Sequence, residues 1–172
     1  AAPPHLQTDD ENTPMEHKKL QTFDSTLRDG AQGANISFSV EDKLHVIDAL
    51  DRLGIDFIEA GNPYSNPAEA EFFQRIRGKK LEHAKIVAFG STRRKGIPPE
   101  EDANLKSLPA ADTQYCAIFG KSHIRHVTDV LKAEPEENLA MIGDSVRFLA
   151  AHGKKVVYDA EHFSVGFKTD ED

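Results

Sequence analysis

The sequence predicts an α/β fold, with a parallel sheet and helices packed outside it. Two observations carry that reading. From Leu20 onward, short β-rich runs alternate with longer stretches whose apolar residues recur at helical spacing. Each β-rich run then empties into a polar turn, the place where α/β folds put their reacting groups.

The elements follow in order. Leu20 to Phe23 is the first strand, ending near Asp24. Ser39 can cap a helix whose residues Val40, Leu44, Ile47 and Leu50 fall on one face, and Gly54 stops it. Ile55 to Ile58 reads as the second strand. Asn66 before Pro67 opens a helix carrying Phe72, Phe73 and Ile76. Lys85 to Phe89 is the third strand and Gln114 to Phe119 the fourth. Ile124, Val127 and Leu131 mark a short helix. Pro135 opens a longer one with Leu139, Ile142, Val146 and Leu149 on its apolar face, closing at His152-Gly153. Lys155 to Asp159 is the fifth strand. Five strands suit an open doubly wound sheet, whereas a closed (β/α)8 barrel needs eight strands and typically ~250 residues. Pattern alone favours the open sheet.

Composition bounds the function. The 172 residues carry 38% hydrophobic and 29% charged residues, as a soluble globular chain does. A formal net charge of −8 argues against a nucleic-acid or anionic-membrane surface. No apolar run approaches the ~18 residues of a membrane span. The single cysteine, Cys116, sits in an apolar run, so no intrachain disulfide is possible and a cytoplasmic location is expected. Residues 1–19 are rich in proline, threonine and acidic residues and lack the core of a signal peptide and the basic character of a transit peptide. They are expected to form a disordered leader, and the missing initiator methionine points to processing or trimming.

Polar groups gather at the strand ends: Arg28, Asp29 and Gln32 after the first, Glu59 and Asn62 after the second. Ser91, Arg93 and Arg94 follow the third, Lys121 and Ser122 the fourth, Asp159 and Glu161 the fifth. In a parallel sheet these ends share one rim and can converge on one substrate. For any one of them, an ordinary polar loop end is the competing account. An arginine can stabilise charge developing on a carbonyl oxygen, and an aspartate is a hard oxygen ligand for a divalent metal. Taken alone, Arg28 fits a surface ion pair equally well, and Asp29 a turn former. Gly120-Lys121-Ser122 has the look of a phosphate-loop end, but that motif needs a glycine at position 115, which is Tyr.

As strings, these segments are more specific. Phe23-Asp24-Ser25-Thr26-Leu27-Arg28-Asp29-Gly30-Ala31-Gln32, Asp56 to Pro63, Lys85 to Arg94, Ile118 to Ser122, Glu136 to Leu139 and Asp159-Ala160-Glu161-His162-Phe163 occur in order. Together they resemble the metal-dependent acyl-CoA condensing barrels: isopropylmalate, homocitrate and citramalate synthases and hydroxymethylglutaryl-CoA lyase. The citramalate synthase branch is the most similar. The resemblance implies a (β/α)8 TIM barrel of which residues 20–172 hold the N-terminal portion, strands one to five.

It also implies roles. Asp29 would ligate a divalent metal (Mg, Mn or Zn), which the family completes with a His-x-His pair that this sequence lacks. Arg28 would hold and polarise acyl and keto-acid oxygens, braced by Gln32, with Glu59 as its acceptor. Asn62 and Asp159 would meet substrate, and Phe89 and Phe119 would shape the keto-acid pocket. Glu161 would help to enolise acetyl-CoA, the co-substrate. Three positions depart from the pattern: Ala31 stands where many synthases have Glu, His123 where the branch has Trp, and Ser164-Val165-Gly166 where Phe-Asp-Gly is expected. His123 and His126 are spaced to share a helix face, but with no third ligand near in sequence they are expected to be solvated or helix-end residues. His162 is expected to point away from Glu161 by strand alternation.

The expected function is condensation of acetyl-CoA with a short 2-oxo acid, pyruvate giving citramalate, within isoleucine or leucine biosynthesis. An isopropylmalate or homocitrate synthase, or a lyase running the reverse cleavage, stays open. A different class also stays open: an inactive partial barrel that only binds a ligand or a complementary half. Its first and fifth strands would keep open hydrogen-bonding edges, so a homo-oligomer is expected. The partners are small molecules, with neither nucleic acid nor membrane among them.

Overall fold

Five strands, all parallel, lie side by side in their order along the chain: β1 (Phe23–Asp24), β2 (Phe57–Gly61), β3 (Lys85–Ser91), β4 (Tyr115–Lys121) and β5 (Lys155–Glu161). A computed structural model describes residues 20–169, and the expected leader 1–19 lies outside them. The strand order decides between the two architectures. A doubly wound sheet places later strands on the other side of β1, whereas here every crossover advances the same way. The sheet is a curled half-barrel with its helices outside, and the open-sheet alternative is set aside.

Helix formation follows local chemistry. Ser39 and Asp42 form a reciprocal capping box at the start of α1 (Val40–Leu53), and Gly54 closes it in the left-handed conformation at φ 83°. Asn66 caps α2 (Pro67–Ile76), whose first residue is proline. Asp102 caps α3 (Ala103–Ala110), which the sequence reading missed. Its apolar face is only Leu105 and Leu108, and Pro109 interrupts the helical signal. The short helix expected around Val127 is a π turn, His126–Val130, closed by Leu131 N–H donating to His126 O at 3.0 Å. Then come α4 (Pro135–Ala151) and α5 (Phe163–Thr169), the second also unforeseen.

Strand alternation divides the sheet residues into two cores. Ile58, Ala60, Ala88, Cys116 and Ile118 face outward and pack with Ile47, Phe72, Leu105, Leu108 and Leu149 of the helices. Burial pushes the Cys116 thiol up to about 11, so it behaves as a core side chain. Val87, Phe89 and Ala117 face the concave side with Phe57, Tyr115 and Phe119. Among the described residues, no helix is long and apolar enough to cross a membrane.

Three expectations change. The first strand pairs only at Phe23 and Asp24, and Leu20 is 91% exposed, because β1 has a ladder on one side only. Strands β2 to β5 run two or three residues further than expected, to Gly61, Ser91, Lys121 and Glu161, because the parallel ladder continues past the apolar runs, ending with Lys121 opposite Glu161. The buried face of α4 holds Asn138, Met141, Ser145 and Leu149, while Leu139 is 68% exposed. Ser145 and Asn138 are buried because each bonds a strand-end backbone group: Arg93 N–H donates to Ser145 Oγ, and Asn138 Nδ2 donates to Lys121 O.

Candidate active site

The turn after β1 is built to present Arg28. The Ser25 carbonyl accepts N–H bonds from Arg28, Asp29 and Gly30 at 3.1, 2.8 and 3.2 Å. Asp24 ties down both the amide and the hydroxyl of Thr26 at 3.0 Å. Leu27, 1% exposed, anchors the turn in the helix-facing core. The next residue can then reach over the concave face.

Arg28 is held from three sides. Its Nε donates to Glu59 Oε2 at 2.6 Å and its Nη1 to Asp29 Oδ1 at 3.1 Å. Its guanidinium carbon lies 4.1 Å from the centre of the Phe89 ring. Phe89 in turn stacks on Phe119 at 5.5 Å. Glu59 is a buried carboxylate whose partner is a planar fork, so the pair fixes the arginine's plane as well as its place. Burial lifts the Glu59 carboxyl above its ordinary range against the pull of Arg28, and Asp159 and Asp29 add to the rise. A cleft of about 350 Å³ opens here, lined by Arg28, Glu59, Asp159 and Phe23 among others. Asp159 is exposed on the inward side of the edge strand.

Other sequence candidates fall elsewhere. Gln32 is exposed in a 3₁₀ turn, Gly30–Gln32, and Glu59 does the bracing expected of it. Asn62 opens the turn after β2, its Oδ1 accepting from Tyr64 N–H at 2.9 Å. Arg93, expected on the rim, faces outward, bonding Asp144 and Glu137 of α4 at 2.9 Å each. A larger groove of about 700 Å³ lies beside those outer ion pairs, away from Arg28. Glu161 sits one inward position beyond Asp159, paired with Lys121 across the last rung of the β4–β5 ladder. Sequence reading placed Lys121 among the strand-end polar groups and weighed it as part of a phosphate loop, but did not pair it with Glu161. The available signal was opposite charge at the ends of neighbouring parallel strands.

Three of the histidines form a cluster. The His123 and His126 rings stack with centres 5.1 Å apart, and His162 meets His126 edge-on at 4.6 Å. His162 lies beyond the end of β5 at φ 61°, so strand alternation does not govern it. Burial, then His162, His123 and Lys121, lower the His126 imidazole below its ordinary range. Among the described residues, no three histidine, cysteine or acidic side chains are arranged to hold a metal ion. Asp29, with its side chain 64% exposed, offers one hard oxygen ligand. The described residues therefore do not complete a metal site.

A family model described as HMGL-like matches residues 19–170. The chain belongs to the HMGL-like family. Its relatives include the (R)-citramalate synthase of Sulfolobus acidocaldarius, 54% identical over 151 residues, covering 88% of this chain and 29% of that protein. The (R)-citramalate synthase of Geobacter sulfurreducens is 48% identical, over 89% of this chain and 29% of its own length. The 2-isopropylmalate synthase of Pyrococcus furiosus is 32% identical, over 84% and 28%. This HMGL-like chain thus spans under a third of the length of the curated relatives it matches. The crystal structure of hydroxymethylglutaryl-CoA lyase from Pseudomonas aeruginosa shares the fold, with a TM-score of 0.62 at 20% identity, over 82% of this chain and 45% of that one.

Proposed function

We propose that this chain is the N-terminal part of an acyltransferase that condenses acetyl-CoA with a short 2-oxo acid, pyruvate giving citramalate. The observation that carries the reading is the Arg28 cluster: a guanidinium locked by buried Glu59 and the Phe89 face, lining the same cleft as Asp159. The names of the relatives at 48–54% identity favour pyruvate over larger oxo acids.

The chemistry requires an enolate of the thioester and an electrophilic ketone. Glu161 would accept a proton from the acetyl methyl group, and the resulting carbon would attack the keto carbonyl. Arg28 would hold the alkoxide that forms, its donors already fixed in place. Hydrolysis of the thioester then releases CoA. The Phe89–Phe119 stack would form the wall beside the oxo-acid side chain. Asp29 would give one oxygen ligand to a divalent cation, whose charge would favour the ketone oxygen; the described residues do not complete that site.

The test uses the full-length protein containing this segment. CoA release from acetyl-CoA is measured with pyruvate, with a branched 2-oxo acid, and with neither. Release strongly dependent on pyruvate supports the reading. A preference for the branched acid moves the assignment to an isopropylmalate-type synthase, and cleavage of an acyl-CoA product without condensation moves it to a lyase.

A further inference from the structure

We propose that Lys121 is a positioning residue for Glu161, holding one carboxylate oxygen so that the other faces the substrate. This rests on the reading of Glu161 as the group that takes the acetyl proton. Three observations support it. Lys121 and Glu161 are partners on the last rung between β4 and β5, so both side chains leave the sheet on the same concave side. Lys121 Nζ donates to Glu161 Oε2, with the two side chains 19% and 31% exposed. The lysine is itself held: buried Asn138 donates to its carbonyl oxygen at 2.9 Å, and Nζ lies 5.6 Å from the centre of the Phe119 ring.

The backbone beneath Glu161 is tied to the same place. Ser122 Oγ donates to the Glu161 carbonyl at 2.5 Å, so residues 121 and 122 grip both the main chain and the side chain of residue 161. Glu161 ends an edge strand and precedes His162 in the left-handed region, a position where a long side chain otherwise samples many rotamers. An ion pair this accessible adds little to stability. Its consequence is orientation: with Oε2 held, Oε1 is the atom left to accept a proton. Proton abstraction needs the acceptor within hydrogen-bond reach, so a swinging carboxylate would be slow without binding substrate any less well.

The test compares Lys121→Met and Lys121→Arg with the parent. In the full-length protein, K121M should lower kcat for deuterium exchange into acetyl-CoA at least ~10-fold, with KM for pyruvate and the thermal midpoint unchanged. K121R should recover to within about 3-fold of the parent, because a cation still reaches Oε2. Unchanged kcat in K121M, or equal loss in both variants together with a lower thermal midpoint, overturns the proposal. A second readout needs no activity. In the full-length protein, the Hα–Hβ and Hβ–Hγ couplings of Glu161 should report one rotamer in the parent and averaging in K121M. Averaged couplings in the parent overturn the positioning role even if Glu161 is the base. Absence of exchange in the full-length parent, with couplings that still respond to Lys121, instead defeats the proposed function and leaves the positioning intact.

Discussion

Arg28 has two carboxylates within bonding distance and an aromatic face beneath it, which is more than a surface arginine needs. Those contacts spend its Nε and Nη1 on protein groups and leave the remaining N–H donors of the fork to face a ligand. Replacing it with lysine keeps the charge but loses the fork, so Glu59 and an incoming oxyanion would compete for one ammonium. Arg28→Lys in the full-length protein is expected to cut turnover by at least ~100-fold with the fold retained. Near-normal turnover in a folded variant would remove Arg28 from the chemistry. At this scale the sequence was informative where a residue's chemistry is unusual for a turn, as for adjacent Arg28 and Asp29. It was silent where meaning depends on register. The Phe89 ring under Arg28 is only a hydrophobic strand residue until β1 and β3 are placed across one concave face.

Elements are joined here by single buried polar residues, and Asp51 shows how. Near the end of α1, its carboxylate accepts N–H bonds from Glu82, His83 and Ala84, at 2.9, 2.9 and 2.7 Å, fixing the segment that enters β3. Burial opposes the charge on Asp51, but the donors of Ala84, Glu82 and His83 outweigh it and hold the carboxyl below its ordinary range. A lowered folded-state pKa gives stability that is complete above the unfolded value, about 4, and is lost as pH falls through the folded value. Asp51→Asn turns an amide donor toward backbone donors and is expected to cost this chain about 2–3 kcal/mol at pH 7. The gap from the parent should narrow as pH drops below about 4. Urea melts at pH 7 and pH 3 check both points, and a gap that ignores pH would show that the aspartate is not bound as its charged form. Most helices were legible because caps and apolar stripes are local signals. The buried face of α4 was not, because Ser145 and Asn138 are selected by strand-end backbone groups that no periodicity reveals. Lys43 repeats the lesson: it sits on the apolar stripe of α1, buried, reaching the Ala60 carbonyl at 2.9 Å and pairing with Glu69.

For the whole molecule, alternation in the sequence reached the α/β class, while the choice of half-barrel over open sheet depended on motif order. Strand order is a non-local property, and a run such as Lys85–Ser91 reads the same in either architecture. The half-barrel has a physical consequence of its own. β5 pairs only with β4 and β1 only with β2, so seven residues of β5 present one side of their backbone without a ladder among the described residues. Beside that edge, Val157 is 38% exposed, and Phe163, Val165 and Phe167 of α5 are 60%, 50% and 62% exposed. An edge strand flanked by exposed apolar side chains is a template for pairing. The 172-residue chain is therefore expected to self-associate, with sedimentation giving a dimer or larger species at micromolar concentration. It is also expected to bind manganese more weakly than about 1 mM, because one carboxylate, Asp29, leaves most of the coordination to water. Substituting Val157→Lys places a charge on the edge strand and should shift the chain toward monomer without changing the weak manganese isotherm. A monodisperse parent monomer that binds manganese tightly and releases CoA from acetyl-CoA with pyruvate would mean that the five-stranded unit is complete in itself, and the half-barrel account would fall.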